Sequence, residues 1–222
     1  LISAPSPNFD DRPASAPVDH LVLHYTGMRT AEEAIGRLRD PVAKVSSHYV
    51  VDEDGTVYAL VAESKRAWHA GVSYWRGVRQ LNDRSVGIEI VNPGHEWGYR
   101  AYPRVQMRAV LGLCHGILAR HAIPAWNVVG HSDIAPDRKQ DPGELFDWKW
   151  LAAQGVGFWS DEVTPPGDLM ADLAAIGYDT SLPADCVITA FQRRFLPDHL
   201  SGEADWKIGA RAAAIAAGLS RV

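Results

Sequence analysis

From His20 to Tyr25 the chain reads HLVLHY, apolar on both alternating faces, which is the pattern of a strand buried inside a sheet. Ser85–Val91 (SVGIEIV) predicts a second strand, with Val86, Ile88 and Ile90 on one face and Gly87, Glu89 and Val91 on the other. Ser47–Val51 and Thr56–Val61 flank an Asp54–Gly55 pair and read as a hairpin. Asn127–Gly130 predicts a short strand after Pro124. The period changes at Thr30–Asp40, where Ala34, Ile35 and Leu38 line one side of a helix. Thr30 and Glu33 have the spacing of a capping box, and Pro41 ends the helix. Arg104–His121 carries a longer helical stripe through Met107, Val110, Leu111, Cys114, Ile117 and Leu118. Interleaved strands and helices of this kind predict an α/β fold, a mixed central sheet flanked by helices.

The ends of the chain have a different texture. Residues 1–17 are rich in Pro, Ser and Asp and read as an extended arm; 18–160 form the α/β domain; 161–167 have linker composition. Residues 168–222 predict three short helices with apolar positions at Leu169, Leu173, Ile176, Ile188, Phe191, Phe195, Ile208 and Ile215. A helical unit this small gains stability by leaning on the larger domain.

Composition narrows the function classes. With 222 residues, 46% of them hydrophobic and 22% charged, the chain is globular rather than disordered. No apolar run approaches the roughly 20 residues of a membrane span. The balance of 22 Lys+Arg against 27 Asp+Glu, net −5, argues against nucleic acid as the partner. Cys114 and Cys186 are too few for a disulfide scaffold or a Cys-rich zinc site, and both are expected to be free thiols. The opening at Leu1, without Met or a leader pattern, reads as a processed or truncated chain, so any lipid anchor through which it touched a membrane lies outside it.

Candidate chemistry concentrates in Gly130–Gly143, GHSDIAPDRKQDPG. His131 and Asp141 stand ten positions apart on a Pro-punctuated loop, and His24 closes a strand far upstream. Two imidazoles and a carboxylate with no fourth side chain fit a catalytic zinc that keeps one position for water. Glu89 interrupts an apolar strand, so its carboxylate must enter a cleft or find a strong partner. Lys139 and Asp141, one residue apart, fall on the same side of an extended segment.

These segments also carry a resemblance. HYT at His24, SHYVVDEDG at Ser47–Gly55, WHAG at Trp68–Gly71, SVGIEIVN at Ser85–Asn92 and GHSDIAPDRKQDPG, with SPNFDDRP before them and DPGELFDW after, resemble the zinc-dependent N-acetylmuramoyl-L-alanine amidases. That family shares its fold with the peptidoglycan recognition proteins, and the likeness runs in order from Ser6 to Trp159. LAAIGY and AFQRRF in the C-terminal helices resemble a small three-helix peptidoglycan-binding domain.

The resemblance implies that His24, His131 and Asp141 bind zinc, that Glu89 is the catalytic acid and base, and that Lys139 stabilises the transition state. It places His69 in substrate binding, with a fourth metal ligand as the alternative. Trp68, Trp75 and Trp97 are candidates to stack on sugar or fill the cleft wall. Ser47 stands where some relatives carry a tyrosine, which leaves more of the proton transfer to Glu89. His48 reads as structural, and Asp133 either orients His131 or caps a helix.

The implied reaction is hydrolysis of the amide joining N-acetylmuramic acid, including 1,6-anhydro forms, to L-Ala of the stem peptide. The implied partners are peptidoglycan and muropeptide fragments. A wall-binding module makes sense only where polymeric peptidoglycan exists, so the expected location is the periplasm or outer envelope, the cytoplasm being the alternative. Competing readings are a non-catalytic binder of the same fold and a zinc peptidase cutting within the stem. Retention of all three ligand candidates speaks against the first, and the lack of HExxH against the second.

Overall fold

The computed structural model describes residues 1–219. In chain order its elements are β1 (Ile2–Ser3), β2 (Phe9–Asp11), β3 (His20–Tyr25), α1 (Ala31–Arg39), β4 (Tyr49–Val51), β5 (Val57–Ala59), β6 (Lys65–Ala67), β7 (Tyr74–Trp75), β8 (Val78–Arg79), β9 (Ser85–Ile90), α2 (Gly94–Trp97), α3 (Arg104–Arg120), β10 (Val128–Gly130), α4 (His131–Ile134), α5 (Trp148–Ala153), α6 (Leu169–Ile176), α7 (Ala184–Phe195) and α8 (Trp206–Leu219). Six strands form a mixed sheet in the order β1-β5-β4-β9-β3-β10. Strands β4, β9, β3 and β10 run parallel, with β10 at the edge, and β5 returns antiparallel through the Asp54–Gly55 turn, with Gly55 at φ +88°.

Side-chain alternation decides what each face of this sheet does. Leu21 and Leu23 of β3, with Val86, Ile88 and Ile90 of β9, pack on Met107, Val110, Cys114 and Ile117 of α3. The other face is covered in two pieces. Val50 of β4 packs with Ala31 and Leu38 of α1. Val22 and Val129 pack instead among Leu173, Ile176, Phe191, Phe195, Ile208 and Ile215 of the three C-terminal helices. Between these two coverings lie the carboxyl ends of β3 and β9, where His24 and Glu89 are register partners. The gap left over those strand ends becomes the cleft.

The N-terminal arm is extended, as its composition predicts, and it is also stitched down. Residues 2–3 add an edge strand to the sheet, and residues 9–11 pair with β6. Ser6 Oγ donates to the Leu38 carbonyl and Asn8 Nδ2 to those of Asp40 and Val45, so the arm satisfies orphan carbonyls at and beyond the C-terminus of α1. At the opposite end of α1, Thr30 accepts from the Glu33 N–H, while the Glu33 carboxylate reaches Arg29 N rather than closing a reciprocal box. Both cysteines are free, Cys114 on the buried face of α3. No helix among the described residues is long and apolar enough to cross a membrane.

Residues 161–167 are exposed, yet the helices beyond them share one apolar cluster with the sheet. A buried polar knot reinforces that junction. Asp133 in α4 accepts from Gly130 N (2.8 Å), from Arg194 Nη1 of α7 (2.7 Å) and from the Tyr178 hydroxyl (2.8 Å). Arg194 also donates to the Val128 carbonyl and lies over the Trp148 ring. Removing the cation alone would leave a buried carboxylate without a counter-charge. Arg194→Met is therefore expected to cost about 3–5 kcal/mol of stability in urea unfolding followed by tryptophan fluorescence, whereas Tyr178→Phe should cost only about 1 kcal/mol.

Candidate active site

Three chain segments deliver the site. His24 is the penultimate residue of β3, and His131 opens α4 directly after β10, the strand beside it. The loop after α4 then folds back, its turn tied by Lys139 N–H to the Ala135 carbonyl and closed by Ser132 N–H to the Asp141 carbonyl. That return places Asp141 next to His131. The Tyr99 and Tyr102 hydroxyls both donate to the Pro142 carbonyl and pin the end of the loop.

His24 Nδ1 lies 2.9 Å from His131 Nδ1 and 3.0 Å from Asp141 Oδ2, and His131 Nδ1 lies 3.1 Å from the same oxygen. All three residues are buried. The hydrogen-bond chemistry behind them fixes what these atoms are. His131 Nε2 faces the Ala70 carbonyl at 3.1 Å, which can only accept, so Nε2 carries the proton and Nδ1 is a bare lone pair. On the other side, the Ser85 hydroxyl gives its one proton to the Leu81 carbonyl (2.6 Å) and so accepts from His69 Nε2 (3.1 Å). His69 Nδ1 is then an acceptor for His24 Nε2 at 3.0 Å, which leaves His24 Nδ1 bare as well.

Two lone pairs and a carboxylate oxygen thus converge with no proton among them. Such an arrangement repels itself unless a cation stands at its centre. The mutual separations are near the roughly 3.3 Å edge of a tetrahedral site with bonds of about 2.0 Å. Burial, reinforced by His131 and opposed by Asp141, lowers His24 to about 4, so the imidazole is neutral as a metal ligand must be. Among the described residues these three are the group able to hold a metal ion.

The cleft above them has a volume of about 290 Å³ and is lined also by Glu89, Lys139, Trp68 and His69. Glu89 is half-buried, and its Oε2 has no hydrogen-bond partner. Burial, with the Asp141 carboxylate adding to it and Lys139 pulling the other way, pushes Glu89 well above the usual carboxylate range. Of the alternatives the sequence poses, a cleft or a strong partner, the structure realises the cleft. Lys139 and Asp141 face the cleft together, as their spacing predicts.

Other candidates sort differently. Trp75 is buried in the core with its Nε1 on the Trp126 carbonyl, and Trp97 is half exposed beneath the Arg29 guanidinium. Of the three tryptophans, Trp68 lines the cleft. Ser47 is buried, its hydroxyl donating to the Tyr49 carbonyl. His48 is structural: its Nδ1 accepts the Gly87 N–H. Asp133 caps Gly130 rather than touching the His131 ring; the Ala70 carbonyl orients that ring. His69 has both ring nitrogens engaged, one on His24 and one on Ser85. Sequence reading passed over Tyr25, which lines the cleft and pairs through its hydroxyl with His95, itself held by Glu144. It passed over Ala70, Asn82 and Ser85 too, since a backbone carbonyl and small polar residues leave no motif.

His131→Ala is expected to abolish stoichiometric binding of a divalent metal while leaving the fold in place, because β10 and the Asp133 knot remain. Metal analysis of the dialysed protein beside its circular dichroism spectrum checks this.

A family model of N-acetylmuramoyl-L-alanine amidases matches residues 14–144. The N-acetylmuramoyl-L-alanine amidase AmiD of Escherichia coli (strain K12) is 38% identical over 226 residues, 88% of this chain and 81% of its own. The 1,6-anhydro-N-acetylmuramyl-L-alanine amidase AmpD of the same organism is 35% identical over 162 residues, 65% of this chain and 86% of its own. Among solved structures, the complex of E. coli AmiD with anhydro-N-acetylmuramic acid-L-Ala-D-gamma-Glu-L-Lys is similar with a TM-score of 0.82 at 35% identity, covering 96% of this chain and 94% of that one. AmpDh3 of Pseudomonas aeruginosa, crystallised with anhydromuramic pentapeptide, has a TM-score of 0.82 at 32% identity over 93% of this chain and 95% of its own. With a buried triad typical of a zinc amidase at the foot of the cleft, the chain belongs to the N-acetylmuramoyl-L-alanine amidase family and is an enzyme of that class.

Proposed function

We propose that this amidase uses zinc, held by His24, His131 and Asp141, to cut the bond between the muramic acid lactyl group and L-Ala in anhydro-muropeptides. The observation that carries the reading is the convergence of three bare acceptors beside an unpartnered carboxylate. Support for the substrate comes from the two similar structures that hold anhydro-muropeptides.

When bound, zinc supplies Lewis acidity that acidifies an attacking water and polarises the scissile carbonyl. Glu89, whose Oε2 is unpartnered in the cleft, takes the water proton and hands it to the departing amine. Lys139 is unpaired with any acid among the described residues, so its ammonium is free to neutralise the oxygen that becomes negative in the tetrahedral intermediate. Trp68 forms part of the wall against which the substrate lies.

Glu89→Gln removes the proton carrier without changing shape. It is expected to retain zinc and lose about 10²–10⁴-fold in turnover. Mass spectrometry of an anhydro-muramyl tripeptide digest checks this: free peptide beginning with L-Ala should be released by the parent enzyme and nearly absent with the variant. Activity within twofold of the parent would remove Glu89 from the mechanism, and an intact muropeptide with the zinc-loaded parent would favour a binder.

The same reading extends to location. We infer that the enzyme works on the polymeric wall in the periplasm or outer envelope, with the C-terminal helices as the wall-gripping part. Supporting this are the likeness of those helices to a peptidoglycan-binding unit and the exposure of Trp206 at the start of α8, an aromatic face available to sugar. Trp206→Ala should weaken co-sedimentation with sacculi and leave cleavage of soluble fragments unchanged; undiminished sedimentation would contradict this role.

A further inference from the structure

Both metal-facing imidazoles are held from behind by one short segment, Trp68–Gly71. The His69 ring meets His24 Nε2 at 3.0 Å, and the neighbouring Ala70 carbonyl meets His131 Nε2 at 3.1 Å. The segment is itself locked: the Asn82 side-chain carbonyl accepts from both His69 N (3.1 Å) and Ala70 N (2.7 Å). Arg138 Nη2 adds a second donor to the Ala70 carbonyl at 2.7 Å, within the capacity of its two lone pairs.

The space for His69 is cut into the sheet. A Cβ on Gly87 of β9 would come within 2.5 Å of His69 Cγ, and Gly87 does not have the positive φ that would otherwise call for glycine. His69 is 8% exposed, and both of its ring nitrogens are already engaged within the protein.

We propose that His69 is a positioning residue for the metal centre: through the chain His24 Nε2–H to His69 Nδ1, His69 Nε2–H to Ser85 Oγ, and Ser85 Oγ–H to the Leu81 carbonyl, it holds His24 in the one tautomer that presents Nδ1 to the ion. This inference rests on the metal reading of the triad. It replaces both roles that the sequence allows His69, substrate contact and fourth ligand. The chain ends on a backbone carbonyl, which cannot donate, so the direction of every proton in it is fixed. The Ala70 carbonyl does the same for His131 without a side chain.

The test is zinc affinity by chelator competition on the folded protein. Loss of a partner of this kind weakens metal binding about 10–100-fold, which is the change expected for His69→Ala. His69→Asn, whose side-chain carbonyl can accept the same bond, should recover most of it. Ser85→Ala, which leaves His69 in place and removes only the end of the chain, should weaken affinity by a smaller factor; it also serves if His69→Ala does not fold. Nitrogen-15 imidazole spectra of the zinc-loaded parent should show His24 protonated at Nε2 and His69 unprotonated at Nδ1.

Unchanged zinc affinity in folded His69→Ala, with a raised KM, would overturn the proposal in favour of substrate contact. A changed visible spectrum of cobalt-substituted His69→Ala, unrecovered by His69→Asn, would overturn it in favour of direct ligation. Hydrolysis is read separately: a parent that binds zinc but releases no peptide refutes the amidase reading and leaves the clamp standing. A parent that binds no zinc refutes both.

Discussion

Three hydrogen-bond acceptors pointed at one another, with every nearby proton directed away, are the constraint on which this structure turns. In water such groups separate or take up protons. Here burial lowers His24 to about 4 and keeps it neutral, while Ala70 and His69 take the protons of the two imidazoles on the far side. The same buried neighbourhood raises Glu89 and leaves its Oε2 unpartnered. Electrostatic frustration in the absence of a cation and chemical competence in its presence are one property.

The sheet makes this possible by parity. Residues of β3 and β9 that face α3 are aliphatic and close the core, whereas the alternate positions supply Val22, His24, Gly87 and Glu89 to the other side. Because α1 covers one flank of that side and the C-terminal helices cover the other, a slot remains over the carboxyl ends of the parallel strands, the usual location for ligands in such sheets. Arg194 and Tyr178 bind the far helices to Asp133, two residues from His131 in α4. The helical part is thereby mechanically joined to the loop that carries His131 and Asp141.

How far the sequence could be read depended on whether a side chain's role was local. HLVLHY and SVGIEIV announce buried strands because alternation is a property of consecutive residues, and Asp54–Gly55 announces its turn for the same reason. Glu89 stands out as a charge that an apolar strand must account for. His24, His131 and Asp141 were visible through residue type and motif. His69, next to a tryptophan in WHAG, reads as a cleft residue and does line the cleft, but its contacts with Ser85 and Gly87 of β9 are ones that no spacing rule connects to it. Asp133 was legible as a cap, but its bonds to Tyr178 and Arg194 join positions 45 and 61 residues apart, respectively. The arm's pairing with β5 and β6 was hidden likewise, since an extended Pro-rich segment looks the same in sequence whether or not it is docked.

The most direct test of the central claim is diffraction from crystals of the zinc-loaded protein on either side of the zinc absorption edge. The account predicts one anomalous peak, bonded at about 2.0–2.2 Å to Nδ1 of His24, Nδ1 of His131 and a carboxylate oxygen of Asp141, with His69 outside bonding distance. A peak elsewhere, ligation through Nε2 of either imidazole, or His69 bonded to the ion would contradict it.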